Sequence, residues 1–180
     1  WKQLEAAFVR KVSEAITVML ILLCIGVLIG SWIVAGTIPM LIYYGIQLVD
    51  PSVIYIFGFG ICILFSLLTG TSWGSAGTIG IVVMGMAELY EANLAIAAAA
   101  VVGGSFFGDK LSPLSDTTNI AALATRVDVY DHIKSMLYTT GPAALLAAGL
   151  YTWLSLSRDL TGGAIGLAVQ LTAASDALTR

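Results

Sequence analysis

Four long stretches of this chain carry no Asp, Glu, Lys or Arg: residues 15–49, 51–87, 92–108 and 135–157. A helix crosses the hydrocarbon core of a bilayer with about 20 apolar residues, and these runs are of that order or longer. Charged residues make up 11% of the chain, against about 25% in an ordinary soluble domain. With 58% hydrophobic residues and a mean hydropathy of +0.94, too little polar surface remains to cover a globule in water. The composition therefore predicts an all-α polytopic membrane protein. The net charge of −3 by itself says nothing about nucleic acid, and with no basic patch in the chain no nucleic-acid partner is expected. Cys24 and Cys62 lie in apolar runs without metal-like spacing, as packed thiols do.

Punctuation within the runs sets the expected elements. Residues 1–14 place Leu4, Phe8 and Val12 at i, i+4 and i+8 among charges, an amphipathic N-terminal helix. The run 15–49 is too long for one crossing, and Gly36 and Pro39 divide it into helices of about 15–34 and 37–49. Asp50-Pro51 makes a turn. The next run is interrupted by TGTSWGSAGTIG (69–80), which suits either a tightly packed long helix or a re-entrant hairpin over about 53–87 with a non-helical tip at 69–75. Irregular backbone is tolerated at membrane depth only where protein or a water-filled cavity surrounds it. Residues 92–107 form another apolar helix, RVDVYDHIK (126–134) is amphipathic and interfacial, and 135–156 crosses again with Tyr151 and Trp153 as interface anchors. The hairpin reading places Lys2, Arg10, Lys11, Arg158 and Arg180 inside against Arg126 and Lys134 outside, in line with the positive-inside rule. Residues 158–180 read as a linker or tail, and the whole as a fragment of a longer protein. SWIVAGTI (31–38) and SWGSAGTI (72–79) agree at six of eight positions.

The polar segment GDKLSPLSDTTN (108–119) stands out against this background. An aspartate at the centre of a membrane helix costs about 2.5–3.5 kcal/mol, so Asp109, Lys110 and Asp116 need a reason. One reading is an aqueous loop between crossings. The other is an unwound crossing of the kind that holds ions in transporters. Hard cations take oxygen ligands, and Ser112, Ser115, Asp116, Thr117, Thr118 and Asn119 place six oxygen-bearing side chains in eight positions. Pro113 frees a carbonyl and stops the helix from continuing. Buried carboxylates exchange protons near neutrality, so Asp109 and Asp116 suit either H⁺ or Na⁺. Lys110 would neutralise one of them in the empty site, or snorkel to the interface.

GTSWG (70–74) matches the G-x-S-x-G nucleophile elbow, which would make Ser72 the nucleophile of an intramembrane serine hydrolase with His132, the single histidine. The elbow requires a strand–turn–helix, and no strand is expected here. Glu88, Glu91 and Asp50 read as turn residues, and Trp32, Tyr43 and Tyr44 as packing aromatics.

GTIPMLIYYG (36–45), TGTSWGSAGTIG (69–80), FFGDKLSPLSDTTNIAA (106–122) and HIKSMLYTT (132–140) closely resemble the NhaC-type Na⁺/H⁺ antiporter family, over about residues 15–155. The resemblance implies a bacterial inner-membrane, multi-pass secondary transporter, not an enzyme, built from inverted repeats, of which this chain is most of the N-terminal half. It implies about four transmembrane helices plus the re-entrant hairpin (53–87) and a helix over about 92–126 broken by an unwound segment. Exchange of Na⁺ for H⁺ follows, or of malate and protons for lactate and Na⁺, with no cofactor beyond the transported ions. The tip residues Thr71 and Ser72 would then lie beside an unwound 115–119. The transport candidates are Asp116, Thr117, Thr118, Asn119, Ser115, Ser72, Thr71 and Asp109, with Na⁺ expected at Asp116, Thr117, Asn119 and Ser72. Expected partners are Na⁺, H⁺, a small carboxylate such as malate or lactate, the lipid bilayer, the remaining half of the same chain and a second copy in a homodimer.

Overall fold

The computed structural model describes residues 1–157; the expected linker at 158–180 lies outside them. The described chain is all helical: α1 (Lys2–Val34), α2 (Thr37–Leu48), a 3₁₀ turn (Pro51–Val53), α3 (Ile54–Thr69), α4 (Ser72–Gly77), α5 (Ile79–Leu89), α6 (Leu94–Leu111), α7 (Asp116–Thr125) and α8 (Val129–Leu156). The 3₁₀ turn with α3 (Pro51–Thr69) and α6 (Leu94–Leu111) are each long and apolar enough to cross a membrane. This is the architecture of an all-α polytopic membrane protein.

Residues 1–37 form one unit and the chain from Ile38 a second. In the first, α1 runs through Ala15 without interruption. Apolar side chains such as Met19, Leu20, Leu23 and Val27 stand exposed along it, as they would on a helix bathed in lipid. It stops at Gly36, whose φ of +75° lies in the left-handed region that glycine enters without steric cost.

The second unit is organised around α3. Asp50 caps the turn before it, accepting the Ser52 N–H at 2.8 Å, and both Ser52 hydrogen bonds hold the Asp50 carboxyl below its ordinary range. α3 ends at Gly70, with φ of +70°, and the chain doubles back through α4 and α5. The antiparallel course is fixed by side chains. Ile54 and Tyr55 at the start of α3 share one core cluster with Met86, Ala87 and Tyr90 at the end of α5, while Cys62 midway packs with Val83. The segment is therefore a helical hairpin rather than one long helix. The Tyr90 hydroxyl binds α2 to its base, donating to the carbonyls of Ile46 and Val49 at 3.1 and 2.5 Å. Those carbonyls belong to the end of α2, where helical partners run out.

Helix α6 begins beside the start of α3, where the Asn93 N–H donates to the Tyr55 hydroxyl at 2.8 Å, and runs parallel to it. The two helices touch backbone to backbone. A Cβ on Gly104 would overlap the Phe59 carbonyl oxygen, and one on Gly108 the Ile63 carbonyl oxygen. This small-xxx-small spacing is how helices associate in lipid, where no hydrophobic force separates them from the solvent. α8 then returns along α6 as a single helix of 28 residues with Pro142 inside it; RVDVYDHIK supplies its cap and first turns rather than a separate interfacial helix. The Tyr151 ring meets Phe59 of α3 at 5.2 Å.

Replacing Gly108 by Val in the full-length protein is expected to lower stability in detergent by about 1–3 kcal/mol, the usual cost of overpacking, read as a fall in the thermal unfolding midpoint. Tyr90→Phe leaves two carbonyls without their donor and is expected to cost about 1–2 kcal/mol in the same measurement.

Candidate functional site

Because α3 and α6 are parallel and in register, both reach their ends together. The turn at Gly70–Thr71 therefore packs on the segment between α6 and α7. A Cβ on Gly70 would stand 2.7 Å from the Leu114 carbonyl carbon, so glycine is required here by both backbone angle and space. Ser112 Oγ donates to the Leu67 carbonyl at 2.8 Å, closing one of the open carbonyls at the end of α3. Ser66, fully buried in α3, donates to the Ser105 carbonyl at 2.6 Å and lies 3.3 Å from that of Thr71. Tip, α3 and α6 are thus held by one hydroxyl.

The tip is self-capped. Thr71 Oγ1 accepts the Gly74 N–H at 3.2 Å, and Ser75 Oγ donates to the Thr71 carbonyl at 2.7 Å while approaching Thr69 Oγ1 at 3.2 Å. Ser72 opens α4 and is buried. What precedes it is helix α3 and a left-handed glycine, so the strand–turn–helix of a nucleophile elbow is replaced by helix–turn–helix, and the hydrolase reading of GTSWG loses its geometry.

The break itself is shorter than the sequence suggests. Residues 112–115 are non-helical, and Asp116 begins α7, so Asp116, Thr117, Thr118 and Asn119 occupy a first helical turn instead of an unwound 115–119. The reason is local. Pro113 ends α6, Ser115 takes the extended cap position, with φ −72° and ψ 129°, and an acidic first residue suits the positive end of the helix dipole. Most of the polar side chains knit this backbone together. Asn119 Nδ2 donates to the carbonyls of Pro113 and Ser115, both at 2.8 Å. Thr118 Oγ1 donates to the Lys110 carbonyl at 3.1 Å, and Ser115 Oγ and Thr117 Oγ1 share a bond of 3.0 Å.

Two carboxylates are left over. Asp109, in the last turn of α6, is only 5% exposed, and Asp116 is exposed; neither side chain takes part in a hydrogen bond or ion pair among the described residues. Lys110 neutralises neither of them; its Nζ lies 3.5 Å from Thr117 Oγ1. No hydrogen bond joins Thr71 or Ser72 to 116–119, and the tip reaches the break through Gly70 and Leu67 instead. Among the described residues no three His, Cys, Asp or Glu side chains converge, so the oxygens available are two carboxylates supplemented by hydroxyls, an amide and carbonyls. Ser66, Ser75 and Ser105 were not singled out from sequence. They sit in apolar or Gly-rich runs, and only the packing of α3 against α6 and the tip shows what the Ser66 and Ser75 hydroxyls do. Ser105 Oγ is buried without a hydrogen-bond partner.

Residues 104–174 match the family model described as the Na⁺/H⁺ antiporter family. Over 155 residues the chain is 50% identical to an uncharacterised Na⁺/H⁺ antiporter of Haemophilus influenzae, covering 86% of this chain and 33% of the relative. A malate-2H⁺/Na⁺-lactate antiporter of Bacillus subtilis is 43% identical over 84% of the chain and 32% of its own length. The Na⁺/H⁺ antiporter NhaC of Alkalihalophilus pseudofirmus is 39% identical over 88% of the chain and 34% of its own length. No solved structure matches. The chain thus spans about a third of the length of these curated relatives, and it belongs with the NhaC-type Na⁺/H⁺ antiporter family.

Proposed function

We propose that the full-length protein is a secondary transporter of the bacterial inner membrane that exchanges Na⁺ for H⁺, with the tip of the α3–α5 hairpin and the α6–α7 break forming half of its ion path. The observation that carries this reading is the pair of carboxylates flanking the break, Asp109 and Asp116, whose oxygens no hydrogen bond or ion pair consumes while the polar residues around them are occupied. A cation between helix ends gains from such carboxylates and from nearby hydroxyl and amide oxygens, here Thr117, Thr118, Asn119 and Ser115. Thr71 and Ser72 of the tip complete the proposed set, with Na⁺ at Asp116, Thr117, Asn119 and Ser72. A proton competes for the same carboxylates, which is the chemical requirement for exchange.

Depth supports the reading. Lys110, beside the break, lines a groove with Thr140 of α8. Thr140 is five residues into the uncharged run that starts at residue 135, or about 8 Å at 1.5 Å per residue. The break therefore falls inside the apolar layer if α8 spans it, where an aqueous loop has no place. This reading takes the broken α6–α7 and α8 as crossings, with the α3–α5 hairpin returning to its own side; α2, at 12 residues, is too short to cross alone. The malate-2H⁺/Na⁺-lactate relative favours a second reading in which an organic acid is exchanged as well.

In everted vesicles carrying the full-length protein, added Na⁺ is expected to collapse an imposed pH gradient. Asp116→Asn and Asp109→Asn are each expected to lower the Na⁺-dependent rate at least about tenfold, the effect of losing roughly 1.4 kcal/mol of cation stabilisation. Wild-type exchange by Asp116→Asn would remove that residue from the site. Malate or lactate gradients imposed on the same vesicles decide the second reading.

A further inference from the structure

Lys110 is the charged group at this site that the antiport reading leaves without a task. It stands in the last turn of α6. Asp109 precedes it directly, but neighbours at i and i+1 on a helix do not face each other. Among the described residues Lys110 joins no ion pair; the pair seen there is Lys134 with Asp131 at the surface. Its ammonium reaches across the break instead, where Nζ lies 3.5 Å from Thr117 Oγ1 in the first turn of α7.

Thr117 is one of the proposed Na⁺ ligands, so two cations seek the same oxygen. An ammonium only donates and rests on a hydroxyl lone pair, and Na⁺ coordinates through the same lone pairs. The two cannot stand there together, because unit charges a few Å apart at low dielectric repel strongly. At 3.5 Å the ammonium is held too loosely for a firm hydrogen bond. Lys110 is half-buried and Thr117 exposed, so the head has room to swing away on its flexible four-carbon stem.

We propose that Lys110 is a built-in competitor of the transported cation: its ammonium rests on Thr117 while the site is free of Na⁺ and is displaced when Na⁺ binds. The inference rests on the Na⁺ reading and deepens it, naming a residue that sets the affinity without being a ligand. A tethered positive charge offsets the two free carboxylates of the empty site. It also weakens the hold on Na⁺, and conduction requires binding favourable enough to enter yet weak enough to leave.

The test is the Na⁺ concentration that half-saturates the rise in thermal unfolding midpoint of purified full-length protein in detergent, with choline chloride holding the ionic strength constant. Lys110→Gln is expected to lower that concentration at least about tenfold, equivalent to 1.4 kcal/mol. Lys110→Met, which keeps an unbranched apolar stem, is expected to do the same, and Lys110→Arg to stay near the wild-type value. In a Thr117→Val background the gain from Lys110→Gln is expected to shrink, because the shared hydroxyl is gone. Three results would overturn the proposal: a Na⁺ requirement unchanged in both neutral variants, a requirement raised in them, or a gain kept in full beside Thr117→Val. A wild-type protein with no Na⁺ response, and no Na⁺-driven exchange in vesicles, removes the cation reading and this inference with it. A wild-type response that the neutral variants leave unaltered removes this inference alone.

Discussion

The close approach of α3 and α6 through Gly104 and Gly108 governs the arrangement of everything beyond it. In water such helices would be pressed together by the hydrophobic effect, but in lipid a leucine gains nothing by leaving the solvent for a neighbour. What remains is dispersion between surfaces that fit and hydrogen bonds that lipid cannot replace. Two glycines one turn apart allow backbone contact, and that contact fixes the register. Once Gly108 lies on the Ile63 carbonyl, Ser112 falls beside the Leu67 carbonyl and Leu114 beside Gly70. A residue with a side chain at either glycine would push the hairpin tip away from the break, and the site would come apart without any of its polar residues having changed.

The break obeys the rule that backbone groups in a low dielectric must be paired. Interrupting a helix exposes carbonyls at one end and N–H groups at the other, and here short polar side chains take most of the work. Ser112, Thr118 and Asn119 each return a hydrogen bond to a carbonyl that helix geometry has abandoned. The abundance of hydroxyls and amides around the aspartates therefore has a structural cause as well as a chemical one. Counting oxygens in the sequence overstates the ligands on offer, because several are spent on the fold. The carboxylates are the groups the fold does not consume.

The repeated octapeptide acquires a meaning from the same rule. In SWIVAGTI the helix stops after Val34 and resumes at Thr37; in SWGSAGTI it stops after Gly77 and resumes at Ile79. Both copies carry a helix interruption at or beside the Ala-Gly-Thr triplet. The hydroxyl is used in the second, where Thr78 Oγ1 donates to the Gly74 carbonyl at 2.6 Å.

The sequence by itself determined the solvent and the punctuation. Charge-free runs require lipid, Gly36 and Pro113 mark helix ends, and the oxygen-rich 108–119 segment marks a site because nothing apolar explains it. These are local consequences of backbone sterics and transfer free energy, and they need no partner. The sequence could not reveal that 116–119 is helical, that Tyr151 faces inward, or that Lys110 borders a groove instead of pairing with Asp109. Nor could periodicity separate a single helix from a hairpin at 53–87, since either buries the same small residues. Those outcomes depend on which helix lies against which, and that was decided only when two glycines brought α3 and α6 into backbone contact and the chain on either side had to follow.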